Sequence, residues 1–239
     1  HAFPPYDGKL AGASVRSMCN RGLDRAPEEL HLLLRTWHRS RAGVNRAGRR
    51  VLLKMLRRRR GMSQPATGLY SSIVEQSRDP AFFCDLNVPD TILGRFEMIA
   101  LHAFLVFRRL RDAGGEGQEL AQLTHDLMFA DIDRSLRELG IGDMGIGKRV
   151  KSLARNLYGR IAAYDEGLGS DEAVLVEALR RNVYATMESV GNEKIALLAV
   201  YLRREAEALR MQTDEALLSG QVSFGGVPHF DSGTTGTAS

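Results

Sequence analysis

Cysteine is scarce in this chain. Its 239 residues include only two cysteines, Cys19 and Cys84, which lie far apart in sequence. Two isolated cysteines form neither a disulfide framework nor the paired spacing that binds zinc. The sequence therefore excludes a small disulfide-stabilised domain, and we expect two plain thiols in a reducing compartment.

Long apolar runs are also missing. The most apolar stretch, Met98–Phe107, is short and is interrupted by His102. Because a membrane-spanning helix needs about 20 apolar residues, this stretch suits a buried core helix instead. The first residues, HAFPPYDGKL, lack the charged start and the apolar run of a signal peptide. We therefore expect neither a membrane span nor a secretory signal.

The motifs that carry enzyme chemistry are absent as well. The sequence contains no phosphate-binding loop and no nucleophile elbow, and it lacks the two Glu-x-x-His motifs of a di-iron bundle. Asp131 and Asp133 alternate as in a calcium loop, but the glycine and the further ligands of an EF-hand are missing. The sequence thus predicts a protein that is not an enzyme and needs no metal or cofactor.

Charge is present but unevenly distributed. Residues 1–61 contain 15 Lys or Arg and 4 Asp or Glu, a net charge of +11. Residues 62–239 hold the other 18 basic and 25 acidic residues, a net charge of −7. This acidic body and the lack of a recognition motif disfavour DNA binding. Two interpretations of the basic segment stay open: a disordered or upstream-frame extension, or a basic arm for anionic lipid or RNA.

Helical periodicity dominates from Ala66 onward. A first helix stops before Pro80, and the later apolar stripes predict helices over about 91–112, 118–139, 148–166, 170–187 and 193–211. The first of these later helices is apolar nearly all round, which predicts a position at the centre of a bundle. Glycines predict loops at 114–117 and 141–147. No run alternates with a period of two.

These patterns predict an all-α protein, a single compact bundle of five or six helices with flexible terminal segments. The expected domains are a basic extension over 1–61, a helical domain over 62–221 and a flexible Gly/Ser/Thr-rich tail over 222–239.

Polar residues within the apolar stripes are candidate functional groups. On a helical wheel, His125 and Asp131 point toward the apolar side of their helix, so they need partners. Candidate partners for Asp131 are the arginines of the preceding helix, Arg95, Arg108 and Arg109. The ordinary interpretation of His102 is a buried core histidine whose two ring nitrogens both have hydrogen-bond partners. The alternative is a helical bundle that binds a metal or haem through His102, His125 and Asp131.

A basic flank lies on the helix predicted over 148–166. It is formed by Lys148, Lys151 and Arg155. Such a face is usually solvated, and the alternative is a docking surface for ribosomal RNA or for anionic lipid headgroups.

Several short segments, in a fixed order over about 66–220, resemble the ubiquinol–cytochrome c chaperone family. The matching pieces are YSSIVEQSR (70–78), Val88-Pro89-Asp90-Thr91, Gly94-Arg95-Phe96, Leu101-His102, Arg109-Leu110, Asp131-x-Asp133, Leu136-Arg137-Glu138, Gly140-x-Gly142-Asp143 and Tyr158-Gly159-Arg160. Each piece alone is weakly specific, but their order and spacing together are specific. Residues 1–61 show no such likeness.

The resemblance implies a non-enzymatic chaperone that binds newly made cytochrome b and assists assembly of the cytochrome bc1 complex. It also implies a possible ribosome or membrane contact and a possible small partner chaperone. Positions expected to bind a partner or define the domain are Arg95, Phe96, Met98, His102, Phe104, Arg109, Asp131, Asp133, Arg137, Glu138 and Asp143.

The sequence contains 28 Arg and only 5 Lys, a ratio common in GC-rich bacteria. We therefore expect a bacterial cytoplasmic protein peripheral to the inner membrane. A mitochondrial inner-membrane location is expected if the source is eukaryotic, and a generic interaction protein at the ribosome or membrane remains an alternative.

Overall fold

The computed structural model describes the backbone of residues 46–138, 143–187 and 189–228, and side chains within 61–138, at 152, and within 156–187 and 189–228. These ranges contain eight helices and no strand. The helices are α1 (Arg46–Ser77), α2 (Pro80–Cys84), α3 (Ile92–Asp112), α4 (Gly114–Glu138), α5 (Asp143–Leu168), α6 (Glu172–Asn182), α7 (Asn192–Met211) and α8 (Asp214–Leu218). The predicted all-α bundle is confirmed, with six long helices and the short helices α2 and α8.

Helix α3 lies at the centre of the bundle. Every residue from Ala100 to Val106 is buried, and the helix packs against α1, α4, α5 and α7. A helix that is apolar on all sides can satisfy this burial only when neighbours cover each face. Its start is fixed by Thr91, whose hydroxyl accepts a hydrogen bond from the Gly94 N–H at 3.1 Å. The predicted central position is therefore confirmed.

Helix α1 is longer than its sequence pattern indicates. It begins at Arg46 and continues through Pro65, so the predicted domain boundary at residue 62 lies inside the helix. Residues 1–45 lie outside the described residues. The part of α1 that packs on the core presents a stripe spaced three and four residues apart, namely Met62, Ala66, Leu69 and Ile73.

Glycine allows α1 and the chain after α8 to approach closely. A Cβ added at Gly68 would lie 2.6 Å from the Gly220 carbonyl oxygen. Gly220 itself has a φ of +89°, in the left-handed region that other residues rarely adopt. This pair therefore fixes where the C-terminal segment leaves α8.

Residues of both predicted glycine loops are helical. Gly114, with a φ of +73°, turns the chain directly after Ala113, so α4 already begins there and residues 115–117 are helical. The prediction of a loop at 143–147 is also wrong, because α5 begins at Asp143.

Helix α6 ends earlier than predicted, at Asn182. The side chain of Tyr184 is buried, and its hydroxyl donates a hydrogen bond to the Leu86 carbonyl at 2.8 Å. This contact draws the chain into the core, so the helix does not reach residue 187. None of the helices in the described part of the chain is long and apolar enough to cross a membrane.

Candidate functional site

A shallow groove of about 440 Å³ opens on the surface between α1 and α4. It is lined by Tyr70, Ser71, Val74, Glu75, Arg78 and Asp131. The α1 residues at 71, 74, 75 and 78 recur at helical spacing and therefore form one face. The groove thus has an apolar floor and a charged rim, and all but one of its lining residues belong to the segment YSSIVEQSR.

A hydrogen bond joins the two walls of this groove. The Tyr70 hydroxyl donates to Oδ2 of Asp131 at 2.9 Å. Burial, with further contributions from the hydrogen bond to Asp131 and its charge, raises the pKa of Tyr70, so the hydroxyl stays protonated and keeps donating. The other carboxylate oxygen lies 3.7 Å from Nη1 of Arg134, one turn along α4. Asp131 is therefore held at the groove edge, with 40% of its side chain exposed.

The predicted partners of Asp131 were the arginines of α3, and that prediction is wrong. Each of these arginines binds a different group: Arg95 pairs with Asp90 at 2.6 Å, Arg108 with Asp165 at 2.8 Å, and Arg109 with the carbonyls of Leu209 and Gln212 and with Asp214. The helical wheel places Asp131 near the apolar side, but it does not tell which helix packs there. That neighbour is α1, which supplies Tyr70.

The other polar positions expected on α4 do not line the groove. Asp133 and Arg137, four residues apart on α4, form an ion pair with 2.8 Å between the carboxylate and Nε. Glu138, the last residue of α4, is exposed. Asp143 begins α5, and its side chain lies outside the described residues, as do those of Lys148, Lys151 and Arg155.

His125 lies half-buried on α4, as the helical wheel predicts. Its ring packs against Phe129 with centroids 4.7 Å apart, and Nε2 lies 3.3 Å from the Tyr158 hydroxyl. These contacts tie α4 to α5. No group of three or more His, Cys, Asp or Glu able to hold a metal ion occurs among the described residues.

His102 is fully buried at the crossing of α1, α3 and α7. Its Nδ1 lies 2.7 Å from the Met98 carbonyl, which can only accept, so Nδ1 carries the proton. Nε2 then accepts from the Tyr201 hydroxyl at 2.9 Å, and that hydroxyl accepts in turn from Nε2 of Gln76. Burial lowers the pKa of His102 to about 4, although the Met98 carbonyl opposes this effect. Both ring nitrogens are therefore occupied, and the interpretation as a satisfied core histidine is confirmed.

The apolar positions expected either to bind a partner or to define the domain are core residues, which fits the second of these two roles. Phe96, Met98 and Phe104 have between 0 and 6% of their surface exposed. They cannot touch a partner unless the bundle opens, because close packing leaves no access to them. The exposed large apolar side chains of the described residues lie elsewhere, at Ile92, Leu93, Leu127, Val174, Val200 and Met211.

A buried ion pair was not anticipated from the sequence. Glu97 of α3 accepts two hydrogen bonds from the guanidinium of Arg160 on α5, and its carboxylate is fully enclosed. Burial raises the pKa of Glu97, and the Arg160 charge opposes this effect. The sequence does contain a signal for this pair, because an acidic residue within the apolar part of a central helix needs a buried partner.

Comparison with known proteins places these features in a family. The family model described as ubiquinol-cytochrome C chaperone matches residues 84–224, which extend from the end of α2 to beyond α8. The mouse protein named ubiquinol-cytochrome c reductase complex assembly factor 1 is 28% identical over 160 residues, 66% of this chain and 54% of that protein. This chain therefore spans about half the length of that relative.

Two further relatives extend the comparison to a fungus and a bacterium. Protein CBP3, mitochondrial, of Saccharomyces cerevisiae is 27% identical over 146 residues, 60% of this chain and 44% of that protein. The crystal structure of the Cbp3 homolog from Brucella abortus superposes with a TM-score of 0.64 at 39% identity, covering 74% of this chain and 97% of that chain. Since the family model alone matches more than half of the sequence, the chain belongs to the ubiquinol-cytochrome c chaperone family.

Proposed function

We propose that this protein is a non-enzymatic assembly chaperone that binds newly made cytochrome b and assists biogenesis of the cytochrome bc1 complex. The observation that carries the proposal is the family match over residues 84–224. The name of the mouse relative supports the same proposal, since that protein is described as an assembly factor of the ubiquinol-cytochrome c reductase complex. Fold likeness alone would not support a function.

We propose that the client docks in the groove between α1 and α4. A chaperone for a membrane protein needs a surface that takes both apolar and charged parts of its client. The floor of this groove offers Tyr70 and Val74, and its rim carries Glu75, Arg78 and Asp131. These charges of both signs suit a connecting loop of cytochrome b, where charged residues border an apolar helix.

We also propose contacts of this protein with a membrane or the ribosome and with a partner chaperone. The basic flank of Lys148, Lys151 and Arg155, together with the basic residues of 1–61, would hold the protein near anionic lipid or the ribosome. A small partner chaperone would share the client. We place the protein at the cytoplasmic side of a bacterial inner membrane, as a peripheral protein.

Gene deletion tests the proposed function. In the deletion strain, we expect the absorbance of cytochrome b of the bc1 complex to fall together with ubiquinol–cytochrome c reductase activity. The matched control is succinate dehydrogenase activity, which should not change, and a plasmid copy should restore the lost signal. Normal cytochrome b spectra and normal reductase activity in the deletion strain would contradict the proposal.

A further inference from the structure

The chain after α8 lies extended against the bundle. We call residues 222–227 the strap. Val222 and Phe224 pack on the core, while Ser223 and Gly225 are exposed. Over residues 222–225 this is the period-two pattern of a β-strand, although no strand lies beside the strap among the described residues. The alternation ends at Gly226, which is exposed, and Val227 is buried, with 6% exposed.

Side chains of the bundle take the place of a neighbouring strand. The amide of Gln212 makes two hydrogen bonds to the backbone of Ser223: its Nε2 donates to the carbonyl at 2.7 Å, and its Oε1 accepts from the N–H at 3.1 Å. A single side chain therefore pairs with both backbone groups of one strap residue.

The next outward-facing residue is held in the same way. The N–H of Gly225 donates to Oε2 of Glu205 at 2.8 Å, and its carbonyl accepts from Nε2 of Gln76 at 3.1 Å. The guanidinium of Arg204 donates to the carbonyl of Gly226. Because these bonds involve only the backbone of the strap, they would hold an extended peptide of different sequence equally well.

The strap lies in a cleft of the bundle. The apolar side of this cleft is formed by aromatic rings. The ring of Phe224 stands edge-on to His102, with centroids 5.2 Å apart, and His102 is in turn edge-on to Phe82 and Tyr201. The cleft walls thus come from α1, α2, α3 and α7, and Phe224 packs on His102 between them. The hydrogen bonds of the strap to Gln76, Gln212 and Arg204 are exposed to water, so they can be exchanged for water at small cost.

We propose that this cleft is a peptide-binding site that the strap closes in cis. Its partner is an extended, uncharged segment of another protein with an aromatic residue at the place of Phe224 and a β-branched residue three positions later. The strap leaves by local opening, as segments with exposed hydrogen bonds do, and the partner segment takes its place. This site is separate from the groove between α1 and α4 and does not rest on the proposed function.

A peptide with the strap sequence, residues 220–228 (GQVSFGGVP) with a fluorescent label, is the probe for the cleft. In the full-length variant Phe224→Ala, the strap loses its anchor while the cleft walls keep all their residues. A segment in cis competes at an effective concentration on the order of 1 mM, so the probe should bind this variant on the order of tenfold or more tightly than the wild type. Fluorescence anisotropy measures both affinities.

Two controls identify the site of binding. A probe in which alanine replaces the residue equivalent to Phe224 should bind the variant on the order of tenfold more weakly than the original probe, because the aromatic anchor is lost. The double variant Phe224→Ala with Gln212→Ala should also bind the original probe more weakly, since Gln212 pairs with the peptide backbone. Equal binding in either control would overturn the assignment of the cleft.

A milder variant covers the case in which Phe224→Ala does not fold. A Cβ at residue 225 would lie 2.7 Å from Oε1 of Glu205, so Gly225→Ala loosens the strap while Phe224 stays in place. Hydrogen exchange of the wild type gives a further test, because the proposal expects the N–H groups of Ser223 and Gly225 to exchange much faster than those of α7. Exchange as slow as that of α7, or failure of the probe to bind a folded variant, would overturn the proposal.

Discussion

The hydroxyl of Tyr201 lies 2.9 Å from Nε2 of His102, and this hydrogen bond joins α7 to the central helix α3. On the other side of the imidazole, Nδ1 lies 3.1 Å from the Ser77 hydroxyl of α1. Three long helices therefore meet at one buried, fully bonded ring. Buried polar groups of this kind set the register between helices, because a slip would leave them without partners.

Tyr201→Phe should destabilise the protein by about 1–3 kcal/mol, since it leaves His102 Nε2 buried without a donor. The free energy of unfolding from urea denaturation measures this loss. Tyr158→Phe is the matched control, because that hydroxyl lies 3.3 Å from His125 in a half-buried place. An equal loss of unfolding free energy in both variants would contradict a larger contribution of the His102 contact to stability.

The stability of the protein should depend on pH through His102. The folded pKa of about 4 lies below the ordinary 6.5, so between these values only the unfolded chain binds the proton. The free energy of unfolding should therefore fall as the pH decreases from 6.5 to 4, by roughly 3 kcal/mol in total from this group.

The variant His102→Gln isolates this effect. Carboxyl groups titrate in the same range, and the raised pKa of Glu97 acts in the opposite direction, but these groups are present in both proteins. The difference in unfolding free energy between wild type and variant should thus shrink steadily toward pH 4. A difference that stays constant over this range would contradict a neutral, buried His102.

Removing one partner of the ion pair between Glu97 and Arg160 should be costly. Arg160→Met leaves an enclosed carboxylate without its donor, and we expect a loss of about 3 kcal/mol in urea denaturation. The double variant Glu97→Met with Arg160→Met should be more stable than the single variant, because no buried charge remains. As a control, Arg210→Met removes a pair whose two side chains are each 61% exposed, and it should leave stability unchanged.

Substitutions in the groove should affect assembly more than stability. Asp131→Asn removes a rim charge from a side chain that is 40% exposed, so the free energy of unfolding should change by less than about 1 kcal/mol. Client binding should weaken on the order of tenfold if Asp131 contacts the client. The bc1 content of a deletion strain that carries this variant measures the effect at equal protein level.

The control for the groove is a matched acidic residue elsewhere. Glu177→Gln changes a carboxylate of α6 that is 52% exposed and pairs with nearby arginines. It should restore bc1 content as well as the wild type does. If Asp131→Asn also restores it fully, Asp131 does not contribute to the client contact.

The sequence predicts the central helix well, because Ala100–Val106 leave no polar face for water. It also predicts His102 as a satisfied core residue, since an imidazole in such a helix must find partners. The identity of those partners, Tyr201 and Ser77, depends on the packing of distant helices, and periodicity within one helix carries no information about it.

The same limit explains the errors at the candidate site. The amphipathic pattern of α4 places Asp131 near the apolar edge, but only the fold brings Tyr70 of α1 to that edge. The predicted flexible tail over 222–239 was based on composition, which does not reveal that Gln212 and Glu205 bind the backbone of residues 223 and 225. Residues 229–239 lie outside the described residues.

Photo-crosslinking in living cells tests most directly whether the groove between α1 and α4 receives cytochrome b. A photoreactive amino acid replaces Ser71, which lines the groove and is exposed, and a second strain carries it at Ala173, which is exposed on α6. We predict that mass spectrometry identifies cytochrome b attached at residue 71 and not at residue 173. Attachment of an unrelated protein at residue 71, or equal attachment of cytochrome b at both positions, would contradict the account.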